Sequence, residues 1–252
     1  MEAIEKRAAL YYDYAVGFAR ALTKPPFPPK TVHRLRTHLR RLQAYAELMQ
    51  RPQAVSSLTK GVTWLSRLRT LDVFHRYLRR RRRDAEDVRR VAWALRAEEA
   101  KVVHAGYVEA IRTLLEKTSL ARMRRPDDVL AMRLESLGRE HADRLNAALG
   151  GLSAEAKRKE LHRLRLLVKA LRYQEEIILE TPWGSRPSVA ALKRLQRTLG
   201  DYCDRDQFRR LARKMKLACR GEMQTEYRRY RKLVRAAVRK PGLLEACATG
   251  PR

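Results

Sequence analysis

Two stretches decide the fold: Thr31-Val-His-Arg-Leu-Arg-Thr-His-Leu-Arg-Arg-Leu-Gln43 and Glu160-Leu-His-Arg-Leu-Arg-Leu-Leu-Val-Lys-Ala-Leu-Arg172. Set side by side, they align His33 with His162, Arg36 with Arg165 and Arg40 with Lys169, and His-Arg-Leu-Arg is repeated unchanged. A helix advances about 100° per residue, so positions 162, 165, 169 and 172 fall on one face roughly 80° wide. Leu161, Leu164, Val168 and Leu171 fall on the adjacent face. In the first copy Val32, Leu35, Leu39, Leu42, Ala46 and Met49 make the matching apolar stripe. One side of each helix is therefore expected to pack into a core, while its neighbour carries an imidazole and two or three cations in a row. Like charges three and four residues apart repel by a few tenths of a kcal/mol per pair. A sequence that accepts this cost twice, in one register, points to an anion placed between the charges.

Working outward, helical periodicity runs through almost the whole chain, and β-type alternation is scarce. The periodicity predicts eight long helices: 1–23, 31–50 with Thr31 as a cap, Ser56 to the Arg79–Arg83 run, 84–117, 126–149, 153–180, 187–220 and 222–239. Pro25, Pro26, Pro28 and Pro29 stop the first, Gly150-Gly151 ends the fifth, and Pro241-Gly242 closes the last. Short connections between long helices indicate an all-α bundle architecture. The repeat divides it into a first half of about 1–120 and a second of about 121–252. No low-complexity linker separates them, so the expectation is a single domain with pseudo-two-fold character.

Composition narrows the function. The chain has 252 residues, 44% of them hydrophobic, enough to bury a core, yet its formal net charge is +29. That charge repels itself in the folded state, so an anionic partner is expected: nucleic acid, an anionic membrane surface or another polyanion. The cations are 43 Arg and 14 Lys. The planar guanidinium fork suits paired phosphate oxygens. Three cysteines, Cys203, Cys219 and Cys247, form no CxxC, so neither a disulfide framework nor a zinc knuckle is expected, and a reducing compartment is. The N-terminal residues lack an apolar run of the signal-peptide kind, and no stretch approaches the length of a membrane span.

Catalytic signatures are thin. The chain has no P-loop, GxGxxG, HExxH or Cys/His cluster, so no metal and no cofactor are expected. Carboxylates that would hold Mg²⁺ against a phosphate are not expected on the basic faces. A nucleophilic His33 or His162 would need an orienting partner, and the faces supply only cations. Those cations should hold both imidazoles neutral when the face is empty and leave them as phosphate hydrogen-bond donors when it is occupied. The five consecutive arginines Arg79–Arg83 read equally well as a solvated helix end and as a non-specific polyanion contact. Tyr11, Tyr12, Tyr14, Trp64 and Trp93 are expected in the core, not as base-stacking platforms.

The duplicated helix resembles that of the CHAD family, the conserved-histidine α-helical domain, whose members carry V-H-x-L-R-x-x-x-R-R-L in each half. Val32-His33-Arg34-Leu35-Arg36 with Arg40-Arg41-Leu42 matches it, as does Leu161-His162-Arg163-Leu164-Arg165 with Lys169 and Leu171-Arg172. A second-half element similar to L-K-x-L-Q-x-x-L-G-x-x-x-D is present as Leu192-Lys193-Arg194-Leu195-Gln196, Leu199-Gly200 and Asp204. Its first-half counterpart departs from the family pattern: only Arg69, Asp72 and Val73 remain, Thr70 stands where an Asp is usual and the Gly is missing. The two halves are therefore expected to bind unequally. The resemblance implies two four-helix bundles related by pseudo-two-fold symmetry, forming one domain with a basic central cavity. It implies non-enzymatic binding of inorganic polyphosphate through His33, Arg36, Arg40, Arg41, His162, Arg165, Lys169, Arg172 and Lys193, in the cytoplasm and in association with polyphosphate granules. The alternatives are a basic helical protein that binds nucleic acid non-specifically, a phosphohistidine-type enzyme acting on polyphosphate, and a granule scaffold that also recruits a protein partner.

Overall fold

The computed structural model describes residues 2–153 and 155–238. Every regular element among them is a helix: α1 (Glu2–Arg20), α2 (Pro29–Leu48), α3 (Pro52–Trp64), α4 (Ser66–Arg80), α5 (Ala85–His104), α6 (Tyr107–Lys117), α7 (Leu120–Met123), α8 (Asp127–Gly150), α9 (Arg158–Ile178), α10 (Arg186–Lys214) and α11 (Arg220–Val238). The all-α expectation holds. The count differs because two long periodic stretches are broken. The third expected helix divides at Leu65, which is fully buried, into α3 and α4. The fourth divides at Ala105-Gly106, where Gly106 takes a left-handed φ of 62° that a Cβ would disfavour. Apolar periodicity continues across both breaks, so the pattern alone hides them. Thr31 is not the cap of α2. Pro28 caps it with Pro29 at the first helical position, where a missing N–H costs nothing. Pro241, Gly242 and Cys247 lie outside the described residues.

The chain forms two compact units, one of residues 7–124 with 207–223, the other of 2–6, 125–206 and 224–238. One boundary between the units falls at 124/125, and the repeat divides the chain at about 120. The assignment of 207–223 to the first unit does not follow from it, and its cause is local packing. Phe208 and Ala212 of α10, with Leu217, Cys219 and Met223, join Phe74 and Leu78 of α4 and Val91 of α5 in one buried cluster. Phe208 stacks on Phe74 at 4.9 Å and meets Tyr77 in a tilted arrangement at 5.0 Å. The Asp87 carboxylate of α5 accepts the backbone N–H groups of Ala218 and Cys219, both at 2.9 Å.

Elsewhere in this first unit α2 packs on α3, and α3 on α6. Gly61 of α3 is buried against Leu39 of α2 and Ile111 and Leu114 of α6. The expected stripe of α2 is the core-facing one: Val32, Leu35, Leu39, Leu42, Ala46 and Met49 are all buried.

In the second unit the stripe of α9 does the same work. Leu161, Leu164, Val168 and Leu171 cluster with Leu145 of α8, Leu192, Leu195, Leu199 and Tyr202 of α10, and Val234 of α11. The start of α9 is fixed by Glu160, whose carboxylate reaches back to accept the Lys157 N–H at 2.9 Å and the Ser153 hydroxyl at 3.2 Å. A buried polar node ties α8 to α9. His141 meets Glu175 through Nδ1 at 2.8 Å and Gln174 through Nε2 at 2.7 Å.

Candidate polyanion-binding faces

Burying the apolar stripe of α2 turns the neighbouring face toward solvent. His33 is exposed, and Arg36, Arg40 and Arg41 are half-buried. Such partial burial suits a long cation, because the methylene stem covers apolar surface while the head stays within reach of an anion. Arg36 is held in place by α3 and α4: its Nη2 donates to Ser66 Oγ at 3.1 Å and its Nε to the Val62 carbonyl at 3.4 Å. Arg41 lies 4.7 Å over the Tyr11 ring. His33, Arg36 and Arg40 lie within about 60° on α2, whereas Arg41 is turned to the other side of His33, toward Tyr11 of α1.

On α9, His162 is exposed and Arg165, Lys169 and Arg172 are half-buried. Here the structure corrects the expectation that carboxylates stay off the basic faces. Glu176, one turn beyond Arg172, is buried and takes Arg172 Nη1 at 3.3 Å and Lys193 Nζ of α10 at 3.2 Å. Asp204 of α10 lies within electrostatic reach of Arg165 and Lys169. Burial pushes its carboxyl above the usual range, and Arg165, Lys169 and Arg205 pull it back down. Arg172 and Lys193 meet at a shared acid. The i, i+4 spacing of Arg172 and Glu176 was the sequence signal for that pair.

The acidic element differs between the halves. Leu65 and Ser66 occupy the places of Leu199 and Gly200, and Thr70 that of Asp204. Where α10 presents a carboxylate, α4 presents the Thr70 hydroxyl, which donates to the Ser66 carbonyl at 2.9 Å and meets Gln207 Oε1 at 3.1 Å. Asp72 is buried and spent on two arginines, Arg69 at 2.6 Å and Arg76 at 2.9 Å.

Other sequence expectations divide. Tyr11 is core, packed with Tyr14 and Phe18 around a buried His38 at centroid distances of 5.8, 5.1 and 5.7 Å. Tyr12 is half-buried and donates to the Leu115 carbonyl at 3.1 Å. Trp64 is half-buried and stacks on Tyr107. Tyr14 and Trp93 do not belong to the core: they are 48% and 73% exposed. Their helical spacing suggested burial, but on α1 and α5 these positions face outward. In the arginine run, Arg79 to Arg82 are exposed, whereas Arg83 pairs with Glu222. Cys203 and Cys219 are buried free thiols, and burial pushes them up to about 11 and about 12, so they stay protonated at neutral pH. No group of three or more His, Cys, Asp or Glu side chains among the described residues is arranged to hold a metal ion. No helix among them is long and apolar enough to cross a membrane.

An all-helical protein with a duplicated His/Arg helix, set beside a core stripe in each of two units, defines a class. The CHAD domain model matches residues 20–213, and the chain belongs to the CHAD family. Its fold is similar to the crystal structure of the CHAD domain from the plant Ricinus communis, with a TM-score of 0.66 and 20% identity over 100% of this chain and 92% of that one. At that identity the likeness concerns the fold alone. No protein of curated function matches the sequence.

Proposed function

We propose that this protein binds inorganic polyphosphate, without turning it over, through the cation rows of α2 and α9. The observation that carries the reading is the pairing, in each unit, of a buried apolar stripe with a row of half-buried cations beside it. The stripe fixes the helix, so the row is pre-organised and an anion does not have to order it. Membership of the CHAD family supports the choice of polyphosphate among polyanions. Arg36, Arg40, Arg41, Arg165, Lys169, Arg172 and Lys193 hold phosphate oxygens, and His33 and His162 donate hydrogen bonds. The role is one of binding, in the cytoplasm and at polyphosphate granules.

The test is a titration of the full chain with long-chain polyphosphate. Affinity falls with rising salt, on a scale set by the slope of about −0.9 per phosphate contact known for DNA. Replacing Arg36 and Arg165 together by Ala lowers affinity about tenfold or more while helical circular dichroism is kept. A folded double variant with wild-type affinity sinks the assignment. Long polyphosphate also displaces duplex DNA at equal phosphate concentration, and the reverse order favours nucleic acid as the principal ligand.

A further inference from the structure

The most exposed large apolar side chain of those described is Trp93, on α5, at 73%. An indole left in water forgoes one of the largest burial gains available to a side chain. Its surroundings identify what would cover it. Arg89 and Arg90 precede Trp93 by one helical turn and Arg96 follows it by three residues, so all share its face of α5. All three are exposed. Trp93, Arg89 and Arg90 line, with Glu86 and Met215, a cleft of about 520 Å³. Glu86 is the one acid among the described residues that line it, and Arg89 holds it with two bonds, at 3.1 and 2.8 Å. Beside the cleft Arg90 reaches toward the Lys216 carbonyl at 3.5 Å, and the Lys216 side chain adds a further exposed cation.

We infer that this face of α5 binds single-stranded nucleic acid, with a base stacked on Trp93 and the flanking phosphates on Arg89, Arg90 and Lys216. A flat aromatic surface ringed by cations complements a ligand with alternating π-faces and negative charges, which is the chemistry of a strand with unpaired bases. A bare phosphate chain has nothing to lay on the indole. Duplex DNA keeps its bases stacked on one another. The site is separate in sequence from the rows of α2 and α9, and the inference stands whether or not those rows bind polyphosphate.

The experiment uses the full chain and three ligands of equal phosphate number: a dT strand of about twelve nucleotides, the same strand with abasic spacers, and inorganic polyphosphate. Binding is read by fluorescence anisotropy, and by tryptophan quenching, for wild type, Trp93→Ala and Trp93→Phe. The expected result is a loss of at least about fivefold in dT affinity for Trp93→Ala, a smaller loss for Trp93→Phe, and polyphosphate affinity unchanged within about twofold. The abasic strand binds wild type more weakly than dT does and does not distinguish wild type from Trp93→Ala. Undiminished dT binding by Trp93→Ala overturns the inference. So does an equal loss for dT and abasic strands, which would make the contact one of charge alone.

Discussion

Arg36 donates to the hydroxyl of Ser66 at 3.1 Å, at the position where the second half has Gly200. One turn on, Thr70 replaces the carboxylate that Asp204 supplies. The two cation rows are thus built on the same helix pattern but set against different chemistry. Arg36 of the α2 row meets the neutral hydroxyl of Ser66, and Arg165 and Lys169 see an acid.

That difference predicts opposite effects of two substitutions. Asp204→Asn removes a charge that competes with phosphate for Arg165 and Lys169, and it raises polyphosphate affinity by about threefold to tenfold at neutral pH. Ser66→Asp, which sets a carboxylate against Arg36, lowers it by a similar factor. Titration calorimetry at fixed ionic strength checks both, and a common direction for the two variants would contradict the account.

Asp204 also sets a pH dependence. Its carboxyl is raised, first by burial, so it takes up a proton at a higher pH than an ordinary aspartate does. As pH falls through that raised value the acid becomes neutral and the α9 row gains effective positive charge. Polyphosphate affinity therefore rises on acidification, and the rise is lost in Asp204→Asn. The measurement is a set of binding isotherms across the acid range, with wild type and variant compared at each pH.

His38 governs acid stability. Burial first, then the charges of Arg41 and Arg34, lower its pKa to about 4. Its Nδ1 is buried and meets no hydrogen-bond partner among the described residues. The unfolded chain takes up this proton near pH 6.5 and the folded protein only near pH 4, so between those values the unfolded state holds more protons. The stability present above pH 6.5 is lost as pH falls to about 4, by roughly 2–3 kcal/mol from this group. His38→Phe keeps an aromatic ring in the Tyr11, Tyr14 and Phe18 cluster and flattens this part of the curve of urea-unfolding free energy against pH.

His141 is a structural histidine. Its two ring nitrogens satisfy Glu175 and Gln174, each buried to 5% exposure or less. His141→Ala leaves a buried carboxylate without its partner and costs about 3 kcal/mol of stability. Chemical denaturation measures the loss. Polyphosphate affinity of the folded fraction stays at the wild-type value, because neither residue belongs to a cation row.

Much of the site was legible because helix geometry converts spacing into faces. Once His33, Arg36 and Arg40 recurred as His162, Arg165 and Lys169, each beside an apolar stripe, the solvent side of both helices followed. The acids that lie beside the rows were harder to see. Glu176 is in register with Arg172 on its own helix, but its contact with Lys193 depends on where α10 packs. Trp93 was misplaced for a related reason: an aromatic at helical spacing reads as core unless the angle of the helix is known.

The sequence by itself determined the all-helical class, the buried stripes of α2 and α9 and the duplicated cation rows, because these depend on residues three and four apart along one helix. Tertiary structure alone decided that Asp204 lies near Arg165, that Ser66 receives Arg36, that 207–223 fold with the first unit, and that Trp93 faces water. Those relationships join residues distant in the chain, and close packing of side-chain volumes sets them, which no periodicity along a single helix encodes.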